Sequence, residues 1–409
     1  MSEVAAVTQR TSCRICDSGS LQVLLEYGPM PLAGGFCTAD DPRADETYPL
    51  TLVRCTDCTL MQVLEVIPPE RLFTQYSYAS SASPTMVRHF EALAGELAAM
   101  AGGGPVVEFG CNDGILIRPL AAAGANVMGV DPSDVARRAS EEQGWPLYEA
   151  YFDAAVSERI RDEYGPAAVV TGNNVCAHVD DLHALLEGVT TLLAPDGRFA
   201  FEVHYQGDLI DQVQYDTVYH EHTCYHSLTG LARWLDQHGM SIIDVCRIPI
   251  HCGSIHVTAG RSAGAPKPTP AVGAMLEQEK TWDVSCFADR VNIRRESLRT
   301  LVEDLNRAGR RVVGYGASGR ATVLLNSCGL GPALVDNVSD VSPLRYGKVV
   351  PGVRTPIVPR EEFHADPPDY AILTAWNYEL EITRDEQDFL RSGGRFIIPL
   401  PEVHLAGAR

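Results

Sequence analysis

Val106-Val-Glu-Phe-Gly-Cys-Asn-Asp-Gly114, followed by Val127-Met-Gly-Val-Asp-Pro132, decides the fold. The first run reads as a short buried strand ending in a glycine turn, with a helical pattern from Ile115 to Ala123 behind it. The second reads as another buried strand, tipped by Asp131. A strand, a tight turn, a helix and a strand ending on an acid form the opening unit of a nucleotide-binding α/β domain. Gly110 permits the sharp turn, and Gly114 leaves no Cβ where a ligand approaches. The Asp131 carboxylate suits a ribose diol, whose two hydroxyls donate. Gly110–Gly114 lacks the G-x-G-x-x-G spacing of dinucleotide sites, and Asp113 puts negative charge where a pyrophosphate would lie. With Glu108 just before the turn, the loop calls for a cationic or zwitterionic ligand. A doubly wound domain whose loop binds nothing is the plain alternative.

A length of 409 residues implies two or three domains with ample buried core. The chain is 45% hydrophobic and 21% charged, ordinary for a soluble globular protein. No apolar run approaches a bilayer span, and Met1 to Ser12 lacks a signal-peptide core. A formal charge of −20 makes nucleic acid and anionic membrane poor partners, without excluding a small anionic substrate. Twelve cysteines without a secretion signal point to a reducing compartment, so a cytoplasmic protein is expected; a monomer is a separate expectation.

Residues 1–75 read as a small, strand-poor module with two C-x-x-C knuckles, Cys13-Arg-Ile-Cys16 and Cys55-Thr-Asp-Cys58. Four thiolates leave no open coordination position, so the spacing predicts a structural zinc site. A redox pair or incidental thiols are the alternatives. Beyond Pro68-Pro69, Tyr76 and Tyr78 either donate to a ligand or pack. A helix is expected over Thr85–Met100, and strands then alternate with helices, which predicts a parallel sheet. Asp131, Asn173–His178 and Glu202–Tyr205 fall at strand carboxyl ends, where such sheets place their sites. Asn173, Asn174 and His178 therefore face one cleft. Tyr205, His251 and Ser254 are further candidates for acceptor contacts. Arg261–Pro270 reads as a linker, Ala274–Ala308 as one long helix, and Arg311–Arg320 as the start of a second α/β unit with Asp336 near its next strand tip. The division expected is 1–75, 76–260 and 261–409.

Tyr219-His220-Glu221-His222 is the sharpest constellation. It reads as a metal site, an acid–base group or a buried polar network; a histidine beside a glutamate, tuned near neutral pH, suits a general base. Gly314-Tyr-Gly-Ala-Ser-Gly319 matches a dinucleotide fingerprint, which alone is a weak signal. It serves equally as packing or, with Arg320, as a diphosphate contact at a helix start.

The four-cysteine module, Glu108–Gly114, Asn174-Val-Cys-Ala-His178, Tyr215-Asp-Thr-Val-Tyr-His-Glu-His222, His251-Cys-Gly-Ser254 and Tyr315-Gly-Ala317 occur in this order. Together they resemble the deoxysugar C-methyltransferases of antibiotic biosynthesis, over essentially the whole chain. The acidic loop itself resembles the S-adenosylmethionine site of class I methyltransferases. The resemblance implies an α/β protein of three parts: a zinc-binding module, a class I methyltransferase Rossmann-like domain and a second Rossmann-like domain. It implies S-adenosylmethionine held by Glu108, Gly110, Asn112, Gly114, Asp131, Asn173 and Asn174, and a dTDP-linked 4-keto-deoxysugar methylated at C-3. By the same resemblance His222 is the base, Glu221 orients or assists it, and Tyr76, His178 and Tyr219 line the sugar pocket. The chain departs from the family pattern at His204, Cys252, His256 and Ser318-Gly319-Arg320. An NAD-dependent nucleotide-sugar enzyme and a zinc-module binding protein with a degenerate methyltransferase fold are the rival readings.

Overall fold

The strand Pro105–Phe109 sits near the middle of a seven-stranded sheet because four of its five residues are buried between helical layers. The computed structural model describes residues 7–68, 71–72, 81 and 83–407. Across that sheet the strands run Met240–Ile248, Ser254–Arg261, Leu193–His204, Ala167–Asn173, Pro105–Phe109, Asn126–Val130 and Leu147–Tyr148. Every pairing is parallel except those of Ser254–Arg261, which is antiparallel to both neighbours. This is the class I methyltransferase order, and it brings the carboxyl ends of the parallel strands to one edge.

The N-terminal module is richer in strands than expected. Leu21–Met30, Tyr48–Cys55 and Met61–Val63 form an antiparallel sheet whose fourth strand, Cys224–Tyr225, comes from the segment carrying Glu221 and His222. The glycine- and proline-rich loop between the knuckles masked an alternation that Tyr48-Pro-Leu-Thr-Leu-Val-Arg-Cys55 carries openly. A six-stranded sheet follows, ordered Ile357–Pro359, Val338–Asp340, Val312–Tyr315, Tyr370–Leu373, Arg395–Ile398 and His404–Ala406, with only the last strand antiparallel. The expected long helix is two, Pro270–Glu279 and Phe287–Arg307, separated around Trp282, which packs on Tyr205. Among the described residues no helix is long and apolar enough to cross a membrane.

Both Rossmann-like sheets close their first turn the same way. Asp131 accepts from the Asn112 N–H at 2.9 Å and the Ser133 N–H at 2.8 Å. Asp340 accepts from the Ala317 N–H at 2.6 Å and the Ser342 N–H at 2.7 Å. The acid at the second sheet's strand tip is therefore Asp340. Asp336, expected there, lies before the strand and is ion-paired to Arg311 at the surface.

Gly110 has φ 67°, and a Cβ there would lie 2.3 Å from Val175 Cγ2. Gly110→Ala is expected to destabilise the fold by about 1–3 kcal/mol through strain and overpacking. It should also lose the thermal stabilisation that S-adenosylhomocysteine gives the native chain, a pair of effects that thermal shift with and without ligand measures.

Candidate functional site

Two clusters of buried polar groups meet at the carboxyl edge of the central sheet. The first is acidic. Glu108 is 3% exposed, its Oε2 has no hydrogen-bond partner among the described residues, and neither do Asp113 Oδ1, Asn173 Oδ1 or Glu202 Oε2. Burial, reinforced by the charge of Asp131, pushes the Glu108 carboxyl well above the usual carboxylate range, while a hydrogen bond from Asn173 opposes the shift. Asp113 Oδ2 is satisfied by the Ser81 amide and hydroxyl, at 3.0 and 2.6 Å. Asn112 and Asn174 take left-handed φ of 49° and 58°, and the Asn174 N–H donates to the Glu202 carbonyl. Gly114, at φ 73°, keeps the backbone close to Trp145, whose Nε1 is also without a partner. Orphaned acceptors around an acid-rich turn fit a ligand that brings hydroxyl and ammonium donors, as S-adenosylmethionine does.

The second cluster is built on imidazoles. His222 Nδ1 lies 3.0 Å from the Thr217 carbonyl, an acceptor only, so Nδ1 carries the proton and Nε2 the lone pair. Nε2 lies 3.0 Å from the Tyr219 hydroxyl, with the two rings 4.0 Å apart between centroids. His178 stands 4.9 Å from His222, its Nδ1 donating to the Glu221 carbonyl at 2.6 Å. Burial, with His178 adding to it, holds the His222 pKa well below its ordinary value, so the ring is neutral and not tuned near neutral pH as the sequence implied. His251 is likewise pushed down to about 4, by burial first and Arg320 second.

Several expected roles are redistributed. The Glu221 carboxylate turns away from the His222 ring: its Oε1 accepts from the Gly34 N–H at 2.8 Å and ties the segment to the N-terminal module. Thr217 orients His222 instead. Arg320 is not an open cation at a helix start. It is 9% exposed, pairs with fully buried Asp216 at 3.3 Å, donates to the His251 carbonyl at 3.1 Å and lies over Trp376. Trp376 Nε1 donates to the other Asp216 oxygen at 2.7 Å. Tyr205 is buried between Trp282 and Arg247, and Ser254 donates to the Ile250 carbonyl at 3.3 Å, so both brace the His251 turn. Tyr76 and Tyr78 lie outside the described residues. Two further residues join the site without a motif to mark them: Thr217, and His89, whose Nε2 is 2.7 Å from Glu202 Oε1.

The glycine fingerprint is closed over. A Cβ on Gly316 would lie 2.6 Å from Ala375 Cβ, and one on Gly319 would meet Ala33 and Tyr219 at 3.3 and 3.5 Å. The start of helix Gly319–Cys328 thus packs against Tyr219 and the N-terminal module. Cys13, Cys16, Cys55 and Cys58 hold their sulfurs within 4.8 Å of one another, with 3.4 Å between Cys13 and Cys58 and 3.5 Å between Cys16 and Cys55. Four convergent thiols, three of them buried, match a closed tetrahedral zinc site.

Three family models match successive stretches of the chain. Residues 13–73 match a family model for a zinc binding domain, 86–245 one for a methyltransferase domain, and 249–401 one for a C-methyltransferase C-terminal domain. C-methyltransferase NovU of Streptomyces niveus is 38% identical over 406 residues, 97% of either chain. A ubiquinone biosynthesis O-methyltransferase of Actinobacillus pleuropneumoniae serotype 7 is 34% identical over 107 residues, covering 24% of this chain and 45% of that protein. Among solved structures, magnesium protoporphyrin IX methyltransferase from Synechocystis PCC 6803 with bound S-adenosylmethionine aligns at 19% identity and a TM-score of 0.33, over 44% of this chain and 79% of that one.

Removing one member of the buried pair leaves a charge without its partner. Arg320→Met is expected to cost about 3–5 kcal/mol, and Arg320→Met with Asp216→Asn to recover part of that loss. Urea denaturation of the single and double variants reads both numbers.

Proposed function

This chain belongs to the C-methyltransferase family of NovU and is an S-adenosylmethionine-dependent methyltransferase with a structural zinc; from that premise we propose that its acceptor is a dTDP-linked 4-keto-deoxysugar, methylated at C-3 through a base-generated enolate. One observation supports this best: a half-buried, neutral imidazole, locked in one tautomer by the Thr217 carbonyl, with its lone pair beside a tyrosine hydroxyl. The nucleotide, the ketone and the carbon number rest on the resemblance of Asp216–His222 to the deoxysugar enzymes. The division into 1–75, 76–260 and 261–409 belongs to the same proposal.

S-Adenosylmethionine supplies an electrophilic methyl group on a sulfonium. The protein's task is then to make a nucleophile of a carbon. His222 Nε2 takes the proton from C-3, and the C–H electron pair moves into the C-3–C-4 bond while the C-4 oxygen gains charge. Tyr219 donates its hydroxyl hydrogen to that oxygen, which is worth most in a water-poor site. An imidazole kept weakly basic by burial becomes a stronger base as the enolate's negative charge develops beside it. Glu108, Asp131 and the turn between them would hold the sulfonium that supplies the methyl to this carbon and keeps the carbon–sulfur electron pair, and the proton on His222 leaves later to solvent. His178, 4.9 Å from His222 between ring centroids, adds to burial in keeping that ring neutral until the enolate charge develops.

In D2O, with a dTDP-4-keto-deoxysugar and S-adenosylhomocysteine, NMR should record enzyme-dependent deuterium uptake at C-3. His222→Asn should abolish it while leaving S-adenosylhomocysteine binding intact. Uptake persisting at the native rate in the variant rejects His222 as the base. The acid limb of kcat/KM provides a second check. Only neutral His222 accepts a proton, and its pKa is lowered, so activity is retained as pH falls through 6.5 and is lost below it. A limb centred at or above about 6.5 contradicts the assignment.

A further inference from the structure

The residue between the first two zinc ligands does not face solvent. Arg14, in Cys13-Arg-Ile-Cys16, is 1% exposed and sends its guanidinium away from the thiols into the seam with the central domain. Its Nε donates to Asp180 Oδ1 at 2.9 Å, and its Nη1 to Gln62 Oε1 at 3.2 Å and to the Val63 carbonyl. Its backbone N–H donates to the same Gln62 oxygen at 3.1 Å. Both ends of this fork lead to imidazoles. Asp180 follows the short turn Cys176–His178 by two residues, and Arg10 grips its other oxygen at 3.0 Å. Gln62 and Val63 lie on the strand that pairs with Cys224–Tyr225, and the Val63 N–H donates to the Thr223 carbonyl, one residue past His222. Thr223 closes the loop, donating through its hydroxyl to the Ala177 and Val179 carbonyls on either side of His178, at 3.0 and 3.1 Å.

We infer that Arg14 is a positioning residue for the proton-transfer step, converting the geometry of the zinc knuckle into the spacing of His178 and His222. Four zinc-held sulfurs fix the backbone at residue 14. A planar, multidentate guanidinium can then hold two partners at a set separation, which a point charge cannot. One arm sets the turn that ends in His178, and the other sets the strand that begins just past His222. The zinc module thereby acts on the reaction without any zinc-bound reactant. This rests on the reading of His222 as the base.

The test uses the full-length, zinc-loaded chain as Arg14→Lys and, to spare the knuckle itself, Asp180→Asn. Zinc content, S-adenosylhomocysteine affinity, C-3 deuterium exchange on a dTDP-4-keto-deoxysugar, and the acid limb of kcat/KM are measured for each. Arg14→Lys should keep one zinc per chain and native cofactor affinity, yet slow exchange by about 10- to 100-fold, the range for residues that orient a reacting group. Its acid limb should move up towards the ordinary histidine value as the loosened cavity admits water. Asp180→Asn should show the same changes to a smaller degree. Exchange and acid limb equal to the native enzyme in both variants overturn the inference. So does an Arg14→Lys that loses zinc and cofactor binding together with activity while Asp180→Asn remains native. Absence of exchange in the native enzyme would instead strike the proposed function.

Discussion

A carboxylate with no solvent must find partners inside the protein, and Asp216 finds them in another domain. Its charge meets Arg320, its second oxygen meets the Trp376 indole, and both come from the C-terminal part of the chain. Because Asp216 immediately precedes Thr217, whose carbonyl sets the His222 tautomer, that contact comes within one residue of the His222 support. Arg320 also holds the His251 carbonyl, on a turn where His251, Cys252 and Gly253 all have positive φ. Such a backbone persists only where its surroundings overdetermine it. The Cys252 carbonyl is held by Gln214, which in turn accepts from His204 at 2.8 Å. Three of the residues at which this chain departs from the family pattern, His204, Cys252 and Arg320, thus share one small network.

The two halves of the site are electrostatic opposites. The cofactor turn collects carboxylates and leaves acceptor oxygens without donors, an arrangement that waits for a cation. The second cluster collects imidazoles that burial keeps neutral: His178, His204, His222 and His251 are all shifted downward. One side suits a positive ligand, and the other carries little charge of its own. The formal charge of −20 does not describe either locality.

Much of this was legible in the residues because the strongest signals were local. The strand–turn–helix from Val106 to Ala123, the paired knuckles and the acid at position 131 each depend on neighbours in sequence. Long-range partnerships were not legible. Glu221 reads as the mate of His222 because it is adjacent, yet the two lie in a turn closed by the His222 N–H on the Tyr219 carbonyl, and the Glu221 carboxylate reaches Gly34 instead. Arg320 reads as a phosphate contact because it opens a helix, until Asp216 claims it. Asp336 occupies the expected spacing for a strand tip, but the strand starts two residues later and the acid that matters is Asp340. The split of the long helix at Trp282 has a tertiary cause in Tyr205.

The borrowed strand has a consequence for how the protein is made. The N-terminal sheet is completed by Cys224–Tyr225, and His220 donates to the Pro49 carbonyl across 171 residues of sequence. While the chain emerges from the ribosome, the knuckles can capture metal early, but their sheet keeps an unpaired edge until most of the central domain has been synthesised. An open edge of this kind is a site for pairing with other chains. The segment that carries His222 is therefore also the piece that seals the nascent module, and a product that ends before it leaves that sheet one strand short.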